Sequence, residues 1–401
     1  MSEDEIERIA TKEVQEYIFN HKDVDEKNLI LRARKILGIS AILVAQQIAG
    51  RRKAEQKLPL FYKKRGIVYP PSLNWEQSSS EATGAFKAEL VNRELGKDKF
   101  KVADLTGGFG IDSFFLRVKA ELLDFIEPNL SVLELARHNH NLLGCGNIQY
   151  HQSKAEEYFD QCKTKYDLIY LDPSRRDSNI KKVFRLGDCE PSIKNLLPRI
   201  FEFTEFVLIK TSPLLDIQQG LNELSAVKKI IVVSVTNECK ELLFLMEKGF
   251  SREPIIETYN LDKLGDIKQS FSFTFDEERN TESEFSEPKT YLYEPNASIL
   301  KAGSFKLIGK KFGLQKLNVN THFYTSNLFK ENFPGRIFKI DQLEFDVKNF
   351  VEKKANVITR NYPLTAEELR KKLKLSDGGD KYVIGFSSVK KKYVALAIRL
   401  V

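Results

Sequence analysis

Between residues 166 and 177 the chain reads YDLIYLDPSRRD, an apolar run that stops at an acid and a proline with two arginines behind them. A run of this composition is a buried strand, and its tip carries a candidate reaction centre: Asp172, Pro173 and Ser174. The Asp172 side chain and the Pro173 carbonyl form an acceptor pair suited to both N–H groups of an exocyclic amine on a planar ring. Held that way, the amine would aim its lone pair at an electrophile. Proline fixes the turn and offers no competing donor. Arg175 and Arg176 suit a phosphate of the same substrate, or else surface ion pairs with Asp177 or Asp188. The plainer role for Asp172 or Ser174 is a helix N-cap.

A second constellation lies upstream. The run FKVADLT ends in DLTGGFGID, Asp104 to Asp112. Glycines at a strand-to-helix turn permit positive φ and let a ligand approach the backbone, while the acid at the strand end accepts hydrogen bonds from a polar cofactor. The next strand ends at Glu127 in DFIEPN, where a carboxylate can hold both hydroxyls of a ribose. A nicotinamide enzyme shares those two features but leaves Asp172-Pro173-Ser174 unexplained. Lys210, with Thr211 and Ser212 in VLIKTSPLLD, sits at a further strand tip and either edges the substrate cleft or precedes a helix started by Ser212 or Thr211.

These tips need a scaffold. From Phe100 to about Leu261, the apolar runs FKVADLT, LLDFIEP, IQYHQ, YDLIYLDP, EFVLIKT and IIVVSVT alternate with amphipathic segments such as NLSVLELARHNHNLL. Buried strands separated by helices indicate a doubly wound α/β sheet of Rossmann-like type, with ligands at the carboxyl ends of its strands. Residues 1–65 read as a helical region, ILGISAILVA included as a buried helix, and the proline-bearing stretch LPLFYKKRGIVYPPSLNW marks a boundary. The α/β domain is expected over 66–275. The acidic segment Asp276 to Lys289 reads as a linker or exposed loop. The C-terminal part is a small α+β module, closing with a hairpin in KYVIGFSSVKKKYVALAIRLV.

At 42% hydrophobic and 30% charged residues, the chain can fold throughout. Its longest N-terminal apolar stretch is about half of the roughly 20 residues that cross a bilayer, so no membrane partner is expected. The acidic start MSEDEIERIA lacks the order of a signal peptide, which gives a cytoplasmic expectation. Cys145, Cys162, Cys189 and Cys239 form no CxxC pair, so neither a metal site nor a disulfide framework is indicated. A nucleophilic role for Cys189 or Cys239 competes with that of a buried structural thiol. His138 and His140 lie two apart on a helix, face different ways, and read as surface residues. Charge is uneven: residues 301–401 hold 21 Lys and Arg against 9 Asp and Glu, so with a net charge of +7 the first 300 carry −5. A basic tail on an acidic body suits a polyanion, nucleic acid foremost, or is a solvated basic surface. His322, Phe323 and Tyr324 within that tail either stack on bases or pack a core.

DLTGGFG resembles motif I of class I S-adenosylmethionine-dependent methyltransferases, FIEPN the acidic motif II, and DPSRR motif IV. The resemblance implies S-adenosylmethionine as cofactor, with Asp104, Gly108 and Gly110 at its methionine part and Glu127 at its ribose. Thr106, Gly107 and Asp112 complete that loop, and Ser153 and Ala155 fall near its adenine. Thr106 stands where the common pattern has its first glycine. Ser174 and Arg175 replace the second proline and the aromatic residue usual in amino-methylating enzymes. EQSSSEATGAFKAEL, YLYEPNASILKAGSF, NTHFYTS, FPGRIF and VITRNYPL are similar to a bacterial methyltransferase family with a ferredoxin-like segment, here 276–335, and a C-terminal THUMP-like domain, here 336–401. THUMP-like domains are associated with RNA-modifying enzymes. The expectation is therefore a methyltransferase acting on an RNA base, with Arg175, Arg176 and Lys210 toward the substrate. The alternatives are a methyltransferase of a protein or small molecule, and a non-catalytic RNA-binding protein that retains a cofactor pocket.

Overall fold

The apolar runs of the α/β region form strands because β-branched and aromatic side chains suit a sheet covered on both faces. They are β1 (Phe100–Asp104), β2 (Ala120–Ile126), β3 (Ile148–His151), β4 (Leu168–Leu171), β5 (Phe206–Thr211), β6 (Val227–Val235) and β7 (Glu238–Glu247). Their order in the sheet is 3-2-1-4-5-7-6; β1 to β5 run parallel and β7 lies antiparallel to β5. All four residues of β4 are buried. The order reverses direction between β1 and β4, the position where the strand ends of a doubly wound sheet open a ligand crevice.

The computed structural model describes residues 1–71, 75, 78–175 and 186–401, without the side chains of residues 175 and 188. Two compact units divide the chain: residues 1–235, 240–252 and 261–266 form the first, and residues 236–239, 253–260 and 267–401 the second.

The first unit takes in the N-terminal helices α1 (Glu3–Ala10), α2 (Lys12–Asn20), α3 (Glu26–Arg32), α4 (Ala41–Lys57) and α5 (Pro59–Lys63). ILGISAILVA is not one helix. Leu37 and Gly38 have φ of 47° and 75°, which turns the chain into a two-residue hairpin before α4 starts at Ala41. Within the stretch read as a boundary, Ile67, Val68 and Tyr69 form a buried strap, each at most 2% exposed. Two amide side chains satisfy its backbone as a neighbouring strand would. Gln47 of α4 donates to the Tyr69 carbonyl at 2.8 Å and accepts from its N–H at 2.7 Å. Asn139 does the same for Val68, at 2.9 Å each way. The remaining helices that bear on the crevice are α6 (Glu81–Leu95), α7 (Ile111–Leu116), α8 (Leu130–Leu142), which carries Asn139, and α9 (Ala155–Gln161).

In the second unit β8 (Ile255–Leu261) neighbours β9 (Ile267–Phe273). A seven-stranded sheet follows, built from β10 (Tyr291–Pro295), β11 (Gln315–Asn318), β12 (Thr321–Ser326), β13 (Gly335–Gln342), β14 (Asn356–Arg360), β15 (Lys381–Ser387) and β16 (Lys392–Arg399), in the order 11-12-10-13-16-15-14. The closing hairpin expected from the sequence is β15-β16. The expected linker 276–289 is partly structured. Thr274 and Glu277 form a capping box on a helix at Phe275–Arg279. The Glu278 carboxylate then accepts the backbone N–H groups of Phe305, Lys306 and Leu307 at 2.8–3.0 Å, so Glu277 and Glu278 serve backbone donors. Separate sequence segments meet at Glu294 of β10, 2% exposed, which takes Arg336 of β13 at 2.7 Å and Arg360 of β14 at 2.7 Å. Phe323 and Tyr324 are fully buried, and His322 stacks on Phe305 with centroids 3.9 Å apart, so core packing holds two of those three aromatics.

Replacing Gln47 by Ala strands the Tyr69 N–H and carbonyl inside the unit, and two such orphans cost about 2–4 kcal/mol. Urea denaturation of Gln47→Ala should show that loss, and a change under about 0.5 kcal/mol would show the strap to be held by its apolar side chains alone.

Candidate functional site

At the carboxyl end of β1, Asp104 is 1% exposed and turns its carboxylate into the loop that follows. It accepts from Ser113 Oγ at 2.5 Å and from the Thr106 N–H at 3.0 Å. Burial pushes its carboxyl up to about 7; these hydrogen bonds act against that, while Asp112 and Asp172 add to it. Thr106 shows what a threonine does in place of a glycine. Its hydroxyl accepts the Asp172 N–H at 2.6 Å and so fastens the glycine turn to the tip of β4.

The glycines are each constrained differently. A Cβ on Gly107 would lie 2.4 Å from the Phe125 ring, and one on Gly110, at φ 83°, would lie 2.6 Å from His140. Gly108, at φ 54°, meets nothing nearer than the Thr106 carbonyl oxygen at 3.7 Å, so its backbone borders open space. Behind the turn stands His140, fully buried on α8 rather than on the surface as expected. Its Nε2 donates to the Gly110 carbonyl at 2.9 Å and its Nδ1 accepts from Tyr150 Oη at 3.1 Å. Burial lowers it to about 4, which keeps the ring neutral as a brace. Periodicity puts His138 and His140 on different faces but does not say which face is inside.

Glu127 follows β2, half-buried. It accepts from the Gly108 N–H at 3.0 Å and the Asn129 N–H at 2.9 Å, and burial raises its carboxyl above the ordinary value. Asp104, Glu127 and Asp172 thus close three adjacent parallel strands, β1, β2 and β4. Ser153 is half-buried ahead of α9, its hydroxyl donating to the Lys154 carbonyl at 3.0 Å, and Ala155 begins that helix, buried.

Asp172 and Lys210 form an ion pair between the tips of β4 and β5, through Asp172 Oδ2. Asp172 keeps 30% of its side-chain surface, and among the described residues its Oδ1 accepts no hydrogen bond. Partial burial pushes the Asp172 carboxyl above its ordinary value and Lys210 opposes this. Burial alone would lower Lys210, but Asp172, Glu241 and Asp112 outweigh it and hold the amine protonated. Pro173 is buried and Ser174 exposed. Neither Asp172 nor Ser174 caps a helix, since Ser174-Arg175 pairs as a short strand with Cys189-Glu190. The side chain of Arg175 and the whole of Arg176 and Asp177 lie outside the described residues. The helix after β5 is capped by Asp216, not by Thr211 or Ser212.

Asp112, expected on the cofactor loop, is held by buried side chains. Its Oδ2 accepts from Ser79 Oγ and Tyr170 Oη, both at 2.8 Å, and Lys87 Nζ lies 3.1 Å from its Oδ1. Burial pushes this carboxyl up, and Lys87 and Lys210, with the two hydroxyls, more than offset it and leave it below the ordinary range. Lys87, wholly buried on α6, also donates to Glu241 of β7 at 2.5 Å and to Ser79 at 3.2 Å. The sequence reading did not single out Ser79, Lys87, Tyr170 or Glu241. One signal existed: Lys87 falls on the apolar face of α6, in register with Thr83, Leu90 and Val91. None of the four cysteines is in a disulfide, and among the described residues no His, Cys, Asp and Glu cluster could hold a metal. None of the described helices is long and apolar enough to cross a membrane.

Comparison with other proteins adds to this geometry. Residues 291–334 match a family profile described as a ferredoxin-like domain, and 335–399 one described as THUMP domain-like. A crystal structure from Porphyromonas gingivalis W83, described as that of a candidate methyltransferase, is 32% identical, with 96% of each chain covered and a TM-score of 0.83. An uncharacterised RNA methyltransferase of Mycoplasma mobile is 32% identical over 75 residues, which is 19% of this chain and 21% of that protein. The chain therefore spans about a fifth of the length of that curated relative.

An unfolded Asp titrates near pH 4, whereas folded Asp104 keeps its proton up to about 7. Its contribution to stability is thus fullest below about pH 4 and fades as pH rises toward 7. Asp104→Asn should flatten that window in unfolding free energies measured against pH. A variant with the wild-type slope would show the carboxyl to be ionised throughout.

Proposed function

Because this chain belongs to the methyltransferase family that carries a ferredoxin-like segment and a THUMP-like domain, we propose that its strand-end crevice binds S-adenosylmethionine and serves methyl transfer to a nitrogen of an RNA base. The observation that carries this reading is the set of three acids, Asp104, Glu127 and Asp172, closing the adjacent strands β1, β2 and β4 around a glycine turn.

The residues fit such a cofactor. Gly108 leaves the backbone open where a ligand would lie. Glu127 spends one lone pair of each oxygen on a backbone N–H and retains acceptors for ribose hydroxyls. Asp104, Gly108 and Gly110 would hold the methionine part, with Ser153 and Ala155 near the adenine. The cofactor supplies a methyl group made electrophilic by the adjoining sulfonium.

The protein's contribution is orientation. Lys210 fixes the Asp172 carboxylate through Oδ2 and leaves Oδ1 to accept one N–H of the substrate, with the Pro173 carbonyl as the second acceptor. Thr106 ties that acceptor pair to the turn that would hold the cofactor, so substrate and methyl donor share one rigid frame. RNA as the substrate class is supported by the THUMP-like match and by the 21 Lys and Arg against 9 acids in residues 301–401. Arg175 and Arg176 remain assigned to a substrate phosphate on sequence grounds.

Labelled methyl transfer from S-adenosylmethionine to RNA of cells lacking this protein tests the reading. Wild-type protein should label RNA, and Asp172→Ala should lose roughly 100-fold or more of that rate while binding the cofactor normally. Cofactor binding without label in any RNA would turn the substrate to protein or small molecules. Glu127→Ala should weaken cofactor binding about 10-fold or more by calorimetry, as expected for loss of a charged acceptor. An unchanged Kd would remove Glu127 from the ribose site.

A further inference from the structure

The helical region of the first unit concentrates positive charge that the proposed chemistry does not use. Residues 51–65 contain seven Lys and Arg and one acid, Glu55. They occupy the second half of α4, the short α5 and the residues just beyond it. Two of these arginines lie on aromatic faces. The Arg51 guanidinium carbon is 4.4 Å from the Tyr62 ring centroid and 5.4 Å from that of Phe19, and the Arg65 carbon is 5.7 Å from the Phe19 centroid.

Arg51 is 7% exposed, its Nε–H has no acceptor, and among the described residues no carboxylate pairs with it. Neighbouring Arg52 shows the contrast, since it is tied to Glu26 and to the carbonyls of Lys22 and Val24. Lys63 and Lys64 are exposed and likewise have no described carboxylate partner. A guanidinium removed from water without a counter-charge is unfavourable until an anion meets it. Stacking on Tyr62 and Phe19 uses its face, and the exposed cations beside it, Lys63, Lys64 and Arg65, are the ones a phosphate can reach. Exposed Phe19, at 44%, and the Tyr17–His21 stack, with centroids 3.9 Å apart, add platforms that suit bases better than an acidic peptide.

The last residue of α4 interacts with both the patch and the reaction centre. Lys57, at the end of α4, donates to the Trp75 carbonyl at 2.7 Å. Burial first, and then the positive charges of Lys210, Lys53 and Lys240, lower its amine to about 8. Lys57 therefore lies in the fields of both Lys53, on the patch, and Lys210, the partner of Asp172.

We propose that the face formed by Lys53, Lys63, Lys64, Arg65 and Phe19 over buried Arg51 binds the phosphate backbone of the RNA strand flanking the nucleotide presented at Asp172. The inference rests on the RNA-methyltransferase reading. The strand would pass from the arginine–aromatic patch by way of Lys57 to the acceptor pair.

The test uses full-length protein, total RNA and the combined variant Lys63→Ala, Lys64→Ala, Arg65→Ala, whose side chains are exposed. Its KM for RNA should rise about 10-fold or more, and the slope of log Kd against log salt should fall by about 2, near 0.7 for each phosphate that is no longer neutralised. Cofactor affinity should match wild type. Phe19→Ala, which removes a stacking platform, should weaken RNA binding by roughly 5-fold or more. Wild-type KM and salt slope in the triple variant, with RNA labelled normally by the wild type, would overturn the inference and leave the methyltransferase reading standing. Failure of wild-type protein to bind or label RNA would overturn both. Displacement of the RNA by polyglutamate at equal charge concentration would identify an acidic polypeptide as the better occupant and overturn the choice of RNA.

Discussion

A lysine with no access to water organises the crevice. Lys87 leaves α6 and meets Glu241 of β7 at 2.5 Å, Asp112 of α7 at 3.1 Å and Ser79 at 3.2 Å. A buried amine and two buried acids are tolerable only together, since removal of any one leaves an uncompensated charge in a low-dielectric interior. That mutual dependence pins three segments that are far apart in sequence. It fixes where α7 begins and therefore how the glycine turn between β1 and α7 is drawn. Tyr170 of β4 extends the link by donating to the same Asp112 oxygen that Ser79 uses.

The exposed end of this network is the Lys210 and Asp172 pair. Three carboxylates keep Lys210 charged, and Lys210 orients an acid that would otherwise be free to rotate at a strand tip. Thr106 joins the pair to the turn from the other side. The tip of β4, the turn and Glu127 are thus parts of one hydrogen-bonded frame, in which Glu127 also secures the Gly108 N–H. The proposed methyl transfer would depend on such a frame more than on proton chemistry, because its rate depends on in-line approach of two groups. A neutral His140 bracing Gly110 serves the same end.

The second unit obeys a related rule. Glu294 gathers Arg336 and Arg360 from β13 and β14, and Gly335 is required because a Cβ there would lie 2.0 Å from the Glu294 carbonyl oxygen. The segments YLYEP, FPGRIF and VITRNYPL, separated by tens of residues, are therefore one polar joint.

The sequence by itself determined the sheet and its strand ends. Strands of four to seven residues that stop at Asp104, Glu127 and Asp172 can be read directly, because burial on both faces demands largely apolar residues and ligand chemistry demands a polar stop. The glycine turn was equally legible, since positive φ and close approach leave few substitutes. Tertiary structure decided which polar side chains face inward. Periodicity separated His138 from His140 without telling inside from outside, and the acids of 276–289 looked solvent-bound until Glu278 found three backbone donors. It also decided that Asp112 belongs to the Lys87 cluster and that Lys210 belongs to Asp172. The physical reason is shared by Asp112, Lys210 and Glu278: each is satisfied by a partner that sequence alone does not place beside it, and these partners and those of Lys87 come from 25 to 154 residues away.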